Sequence, residues 1–421
     1  MTFFVPLESP LSPPSLPTFL RVAPDPDAYL AKVVSAVLNA KRIVVVCGAG
    51  ISVKAGIPDF RSSDGIFRTL KRENPREVLG SGKELFDASV FNSEQSTILF
   101  CQMIARLSEL SSAAEPTAFH RLLRTLDDNG KLLRVYTQNI DSIERKCGLS
   151  FGVPEIHDKR PRSKSKTRAI SHNANPPILP DTSTLGSVSS GVDIPTSTLP
   201  ASSSEIPRCI PLHGTLQLLH CQVCNHSFPL EKYLASFVVG QPPLCPDCIS
   251  REHARRLMGK RARTVGKLRP SVVLYNEAHR DGEGVGEVVR KDLMAVSKGK
   301  GRSGADLLLV VGTSLRIPGT KRMVREFSKA IRARGSLPYS STTVHTLASS
   351  SPSSRPRRGN NESAISTVYL NLDFPVPTRD WDGVFDVWLQ GDAQRFAEIL
   401  QLEFGKCIRN TQFLPQRKQS C

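Results

Sequence analysis

RIVVVCGAGIS, residues 42–52, holds the step on which the reading of the whole chain turns. Ile43 to Val46 form a short β-branched apolar run that ends at glycine, the pattern of a strand covered on both faces within a parallel sheet. Gly48 and Gly50, separated by Ala49, then allow backbone angles and close approaches that a Cβ forbids. Where such a turn opens a helix it presents unpaired N–H groups to an anion, and a dinucleotide pyrophosphate is a natural occupant. The next glycine is Gly56, too late for the usual G-x-G-x-x-G, so the stretch alone fits a ligand-free strand-to-helix turn as well as a nucleotide site.

Upstream, Tyr29, Leu30, Val33, Val34, Val37 and Leu38 recur at helical spacing and predict a helix that starts near Pro26 or Asp27. Downstream, Leu132 to Thr137 predicts a second strand. Its polar tail, Gln138-Asn139-Ile140-Asp141, falls at the carboxyl end of the sheet, where open α/β folds place ligands. Ser271–Tyr275, Asp306–Val311 and Thr367–Leu372 predict further strands, with helical stretches between several of them. Alternating strands and helices imply an α/β fold with a doubly wound parallel sheet. Residues 1–27, rich in Pro and Ser, read as a disordered arm, and 159–207 and 336–363 read as disordered insertions whose composition cannot bury a core.

The chain carries a formal net charge of +17 with a pI near 9.6, which points toward an acidic partner such as nucleic acid or chromatin, with simple solubility as the alternative. The excess is local: residues 208–270 hold ten Lys or Arg against three Asp or Glu. No apolar run approaches the ~20 residues of a membrane span. The amino-terminal residues MTFFVPLESPLSPPSLPTFLR have neither a basic start nor a sustained apolar run, so no secretory leader and an intracellular protein are expected. In that setting ten cysteines point to thiols or a metal site and away from a disulfide framework.

Cys221-x2-Cys224 and Cys245-x2-Cys248 carry the strongest local signal in the chain. Each pair forms a knuckle whose thiolates face one point, and two knuckles complete a tetrahedron around zinc. Four thiolates leave no open coordination position, so such a zinc is structural. Cys47, Cys101, Cys147, Cys209, Cys407 and Cys421 show no ligand spacing and read as small apolar residues or idle thiols.

Taken in order, GAGIS (48–52), GIPDFR (56–61), TQNID (137–141), LHG (212–214), the paired CxxC, RPSVVLYNE (269–277), GTSL (312–315) and QGD (390–392) resemble the sirtuin family of NAD-dependent protein deacylases. YNE, FRSSDGIF and GTSLRIPGTK resemble the fungal branch associated with deacetylation of the histone H3 core domain. The resemblance implies a Rossmann-like NAD-binding domain over 28–158 and 268–400, with part of 59–130 supplying a helical module and a cofactor loop. That helical module and a four-cysteine zinc module over 208–267 make the smaller domain, and 401–421 is a tail.

By the same resemblance Gly48, Ala49, Gly50 and Ser52 lie near the NAD phosphates, and Ile57, Asp59, Phe60 and Arg61 belong to a loop closing over the nicotinamide half. Gln138 and Asn139 order the ribose and a water, Asp141 grips the carboxamide, and Gly312, Ser314 and Asn371 contact the adenosine half. His213 is the implied general base, a role that suits an imidazole because it titrates near neutral pH. A lone histidine is ordinarily structural or superficial, the reading given to His120, His220, His226 and His279. Acetylated histone tails or core lysines are the implied substrates, with a peptide strand pairing along Val272, Leu274, Tyr275 and Asn276. Asn276 stands where the family commonly has glycine, and asparagine tolerates left-handed angles better than other residues with a Cβ.

Other readings compete with this one: a zinc-containing chromatin scaffold that has lost catalysis, and a protein mono-ADP-ribosyltransferase using the same bond cleavage. Intact His213, Asn139 and Asp141 count against the scaffold. A nuclear protein is expected, with KRPRSKSKTR (159–168) serving import or, with Arg251–Lys267, contact with nucleosomal DNA.

Overall fold

Ile43–Cys47 (β3) forms the strand the sequence calls for, and it is buried along its whole length. The computed structural model describes residues 1–8, 16–58, 84–154, 206–294, 304–335 and 364–412. In these, β3 lies near the middle of an eight-stranded parallel sheet. The other members are β1 (Thr2–Pro6), β2 (Leu20–Val22), β4 (Leu132–Thr137), β5 (Cys209–Pro211), β9 (Leu307–Val311), β10 (Thr367–Asn371) and β11 (Val387–Gln390), in the order β2-β1-β11-β10-β9-β3-β4-β5. From β3 the chain proceeds one way through β4 and β5, and from β9 the other way through β10 and β11. The order therefore reverses between β3 and β9, and that switch point is where an α/β sheet opens a crevice for a ligand.

Alternation along the central strands divides the core into two layers. Ile43, Val45 and Cys47 face helices Ala118–Asp128 and Ala393–Gln412 through Phe119, Leu122, Leu126, Phe396 and Leu400. Val44 and Val46 face helix Pro318–Gly335 through Val324, Phe327 and Ile331. Helix Pro26–Asn39 starts where the periodicity puts it, capped by Asp25 and burying Val33, Val34 and Val37. Arg134 of β4 pairs with buried Asp292 at 2.9 Å and donates to the Ile206 carbonyl at 3.0 Å. The chain thereby re-enters the sheet at a fixed point. Among the described residues no helix is long and apolar enough to cross a membrane.

A second, antiparallel sheet has the order β7-β6-β8, from Gly214–Cys221 (β6), Ser227–Pro229 (β7) and Leu268–Val272 (β8). Its core is shared with helix Glu94–Ala113, since Leu99, Phe100, Ile104 and Leu107 pack with Leu219, Cys221, Phe237, Cys245 and Leu268. The helical and cysteine modules are thus one unit with one hydrophobic core.

Several expectations need correction. The arm expected over 1–27 contains β1, which pairs with β11 in the register Phe3↔Val387, Phe4↔Trp388 and Val5↔Leu389. Its short apolar run, Phe3-Phe4-Val5, is diluted by the Pro- and Ser-rich residues after it. The strand expected over 271–275 begins and ends earlier and joins the antiparallel sheet. Leu268, Pro270 and Val272 bury alternately, the mark of a strand with one wet face, and Pro270 is tolerated because β8 is an edge strand. Cys209 lies in the large sheet, so the small module starts after β5. Helix Ala393–Gln412 continues into the expected 401–421 tail because Phe404 still reaches the core. The 336–363 insertion and nearly all of 159–207 lie outside the described residues.

At the switch point the turns after β3 and β9 interlock. A Cβ on Gly312, whose φ is +61°, would lie 2.9 Å from the Gly50 backbone, and one on Gly50 would lie 2.6 Å from the Gly312 Cα. Gly312→Ala is expected to cost about 1–3 kcal/mol through this crowding alone. Denaturant unfolding of the purified variant checks it, with unchanged stability refuting the interlock.

Candidate active site and metal centre

Gly48 donates its N–H to the Val311 carbonyl at 3.1 Å and Gly50 to the Gly312 carbonyl at 2.9 Å. The glycines thus serve an approach of protein to protein as well as any approach to phosphate. The turn does not open a long helix but two short 3-10 turns, Ala49–Ile51 and Val53–Ala55, the second ending at Gly56 with a φ of +82°. Ala49 is the first residue of the first turn, and its N–H has no partner among the described residues.

The tail of β4 closes on this turn. The Asn139 amide donates to the Gly48 carbonyl and to Ser52 Oγ, both at 3.2 Å, while its own N–H is held by Thr137 Oγ1 at 3.1 Å. Gln138 Nε2 donates to Thr313 Oγ1 at 2.7 Å, joining β4 to the β9 turn. Ser52, Asn139 and Asp141 are all buried. The Asp141 carboxylate accepts the Ile143 N–H at 3.0 Å, so it caps the turn that follows as well as standing in the crevice. Burial raises its pKa, and the Ile143 N–H acts against that rise. Asn371 Nδ2 bonds Tyr369 Oη at 3.0 Å and the Asp373 carbonyl at 3.1 Å at the end of β10. Ile57 is buried. Ser314 is half-buried close to Gly312 and precedes Leu315, which has a φ of +53°. Asp59, Phe60 and Arg61 lie outside the described residues.

His213 stands at the junction of the two sheets, between β5 and β6. Its Nδ1 lies 2.9 Å from the Gln138 carbonyl. A carbonyl only accepts, so Nδ1 carries the proton and Nε2 keeps the lone pair of a base. Burial lowers the His213 pKa, the Gln138 carbonyl opposes that, and the nearby His279 lowers it further. The ring is therefore neutral at neutral pH.

Sequence reasoning missed four participants. His279 bonds the Leu212 carbonyl through Nε2 at 2.9 Å and so backs His213, although no motif marked it. Thr313 lay inside GTSL and received no role. Glu277, the last letter of YNE, accepts the Leu274 N–H at 2.9 Å and the Arg269 guanidinium at 2.6 Å, fixing the bend at Asn276. Glu144 is fully buried beneath the crevice with Oε1 3.9 Å from Cys47 Sγ, and burial together with repulsion from Asp141 pushes its pKa up to about 8.

The segment expected to receive a peptide strand, residues 272–276, is partly engaged by the chain itself. Tyr275 donates to the Phe86 carbonyl at 2.7 Å and accepts from the Ala88 N–H at 3.0 Å, while Val273 donates to the His213 carbonyl at 3.0 Å. An incoming strand cannot use those groups while they are paired. Asn276 does take the left-handed angle, φ +62°, and its amide bonds the Asp87 carboxylate at 2.5 Å. Val272 and Leu274 point into the small-domain core.

Cys221, Cys224, Cys245 and Cys248 come together with their sulfurs all within 4.8 Å of one another. The pairs Cys221–Cys248 and Cys224–Cys245 are 3.7 and 3.6 Å apart, against about 3.75 Å between the corners of a tetrahedron with 2.3 Å zinc–sulfur bonds. The donor set and spacing fit zinc and leave no position for a water. Burial raises the Cys221 thiol, but N–H groups of Cys224 and Val223 outweigh it and bring it to about 7, toward the thiolate a metal needs. A Cβ on Gly266 would lie 2.4 Å from Cys221 Sγ, so only glycine fits there.

A switch-point crevice lined by glycine turns, beside four cysteines grouped as a metal would need them, is the arrangement of a nucleotide-binding α/β protein. The model of the Sir2 family matches residues 48–169 and 200–318, and the chain belongs to that family. It is 36% identical to the NAD-dependent protein deacetylase hst4 of Schizosaccharomyces pombe over 87% of this chain and 67% of that protein. It is 35% identical to the NAD-dependent histone deacetylase HST4 of Saccharomyces cerevisiae, covering 74% of this chain and 70% of that one. For the hst4 protein of Emericella nidulans the figures are 32% identity over 90% of this chain, which spans 49% of that longer relative. Among solved structures, one described as "Structural Basis for the Mechanism and Regulation of Sir2 Enzymes" superposes with a TM-score of 0.51 at 19% identity, covering 90% of this chain and 99% of the other.

Wild-type protein is expected to carry stoichiometric zinc by metal analysis, and Cys245→Ser to lose it and unfold the small domain first, since structural zinc contributes folding free energy directly. Glu144 gives a second test. Its pKa is higher in the folded state than its ordinary 4.5, so the folded chain binds the extra proton and stability falls as pH rises from about 4.5 to about 8. Glu144→Gln is expected to flatten that fall when unfolding is compared at the two ends of the window.

Proposed function

We propose that this chain, an NAD-dependent protein deacetylase of the Sir2 family, removes acetyl groups from histone lysines, those of H3 above all, and acts in the nucleus on chromatin. When bound, NAD supplies the ribose that accepts the acetyl group and nicotinamide as the leaving group. The glycine turn, Ser52 and the Ala49 N–H are suited to its phosphates, and Gln138, Asn139 and Asp141 to its ribose and carboxamide. These groups are already fixed by bonds to one another, so little order is lost on binding. His213 takes a proton at Nε2, the nitrogen left free by the bond of Nδ1 to the Gln138 carbonyl.

The observation that carries this reading is that last bond, 2.9 Å long, which sets the tautomer of a neutral histidine beside buried Asn139 and Asp141. The H3 preference draws on relatives named as histone deacetylases and on the YNE and GTSLRIPGTK motifs.

The test is incubation of the protein with NAD and acetylated core histones, followed by mass spectrometry. Acetyl loss from H3 with O-acetyl-ADP-ribose formed in equal amount supports the reading, whereas ADP-ribosylated protein supports the transferase and no NAD consumption the scaffold. His213→Ala is expected to lower the deacetylation rate by about 10²- to 10⁴-fold, with zinc content and thermal stability retained. Near-normal turnover by the folded variant would remove His213 from the role of base.

A further inference from the structure

We propose that the exposed side of helix Pro246–Leu257 and the extended segment 258–267 after it form a docking surface for the phosphate backbone of duplex DNA. Residues 251–267 contain seven Lys or Arg and a single acid, Glu252. Glu252 is buried beneath the surface, where it accepts Arg256 Nε at 3.1 Å and the Arg263 backbone N–H at 2.7 Å. Its charge therefore offsets one cation and anchors the segment. The Arg255 guanidinium donates twice to the Arg261 carbonyl, at 3.0 and 2.7 Å, which holds helix and segment together without neutralising either charge. Among the described residues Arg251, Arg255, Lys260, Arg261, Arg263 and Lys267 have no carboxylate partner.

Some cations elsewhere on the surface are neutralised by a neighbouring acid, as these are not. Lys54, Arg124, Arg290 and Lys406 each pair with an acid at 2.6 to 2.9 Å. Attraction to the carboxyl end of a helix accounts for Arg255 and Arg256 at most, because that effect fades within the last turn. Lys260 to Lys267 lie beyond it.

The cations are also held in place. The helix begins between Cys245 and Cys248, and the segment ends at Gly266 against the Cys221 sulfur, so the metal centre ties down both ends. Charges meant only for solubility need no such frame, and clustering them on one costs stability through mutual repulsion. A frame that fixes cations in space suits a polyanion whose phosphates are themselves regularly spaced. The choice of DNA among polyanions rests on the histone reading above, because that substrate is packaged with DNA.

Lys260→Ala, Arg261→Ala and Arg263→Ala combined in the full chain test the proposal, since only backbone atoms of Arg261 and Arg263 take part in the packing described. Binding of a random-sequence DNA duplex and of nucleosomes is measured against salt, beside turnover of a short acetylated peptide. Wild-type affinity is expected to fall steeply with salt. The triple variant is expected to lose roughly 2 to 3 from the log–log slope, at about 0.9 per phosphate contact, and to bind the duplex at least about tenfold more weakly at low salt. Peptide turnover and melting temperature stay at wild-type values. An unchanged slope and duplex affinity overturns the proposal, as does weakened nucleosome binding with duplex binding intact, which would assign the surface to an acidic protein face. Failure of the deacetylase reading would show in peptide turnover by the wild type and leaves the duplex measurement standing.

Discussion

Two backbone turns touching without side chains between them set the position of everything in the crevice. Gly50 and Gly312 approach so closely that a Cβ on either meets the other's main chain. The contact draws the ends of β3 and β9 together at the point where strand order reverses, and Asn139 and Gln138 then bridge each turn to β4. Three strand ends are thereby fixed relative to one another by backbone geometry and short polar bonds, which tolerate less drift than packing of flexible side chains. His213 inherits this order through its bond to the Gln138 carbonyl.

The second constraint acts from the other side of the crevice. The core around the four cysteines runs without a break into helix Glu94–Ala113 and into Val272 and Leu274 of the expected peptide edge, so the cysteine cluster and that edge share one packing unit. The pairing of Tyr275 with Phe86 and Ala88 adds a further tie between that edge and the start of the helical module. Asn276 has two uses there, adopting φ +62° and reaching Asp87. A glycine would provide the angle but not the bond.

How much of this the sequence reveals depends on how local each cause is. The buried runs of β3, β4, β9 and β10 are legible because strands covered on both faces leave an uninterrupted apolar signature. The paired CxxC is legible because ligand spacing is written in consecutive residues. β1 is not, since five residues beside a Pro- and Ser-rich stretch are lost in any window average, and their pairing partner lies more than three hundred residues away at β11. β8 is misread as a member of the large sheet because VVLY resembles a buried strand, while the alternation that decides its partner begins three residues before Ser271, at Leu268. His279 escapes notice because its partner, the Leu212 carbonyl, is distant in sequence, and Glu144, though only three residues after Asp141, because its full burial beside Cys47 is not written in any spacing.

Asp141 and Glu144 show why such hidden neighbours matter to the chemistry. Both are buried, both are pushed upward by that burial, and each ionised carboxylate would raise the other further. Two charges so placed cannot both be held comfortably at neutral pH, and the environments decide which proton stays. Asp141 has the Ile143 N–H, a hydrogen bond that favours the ionised form. Glu144, fully buried and next to Cys47, has its pKa raised to about 8 and keeps its proton. The neutral acid beneath the sheet therefore spares Asp141 the repulsion of a second charge.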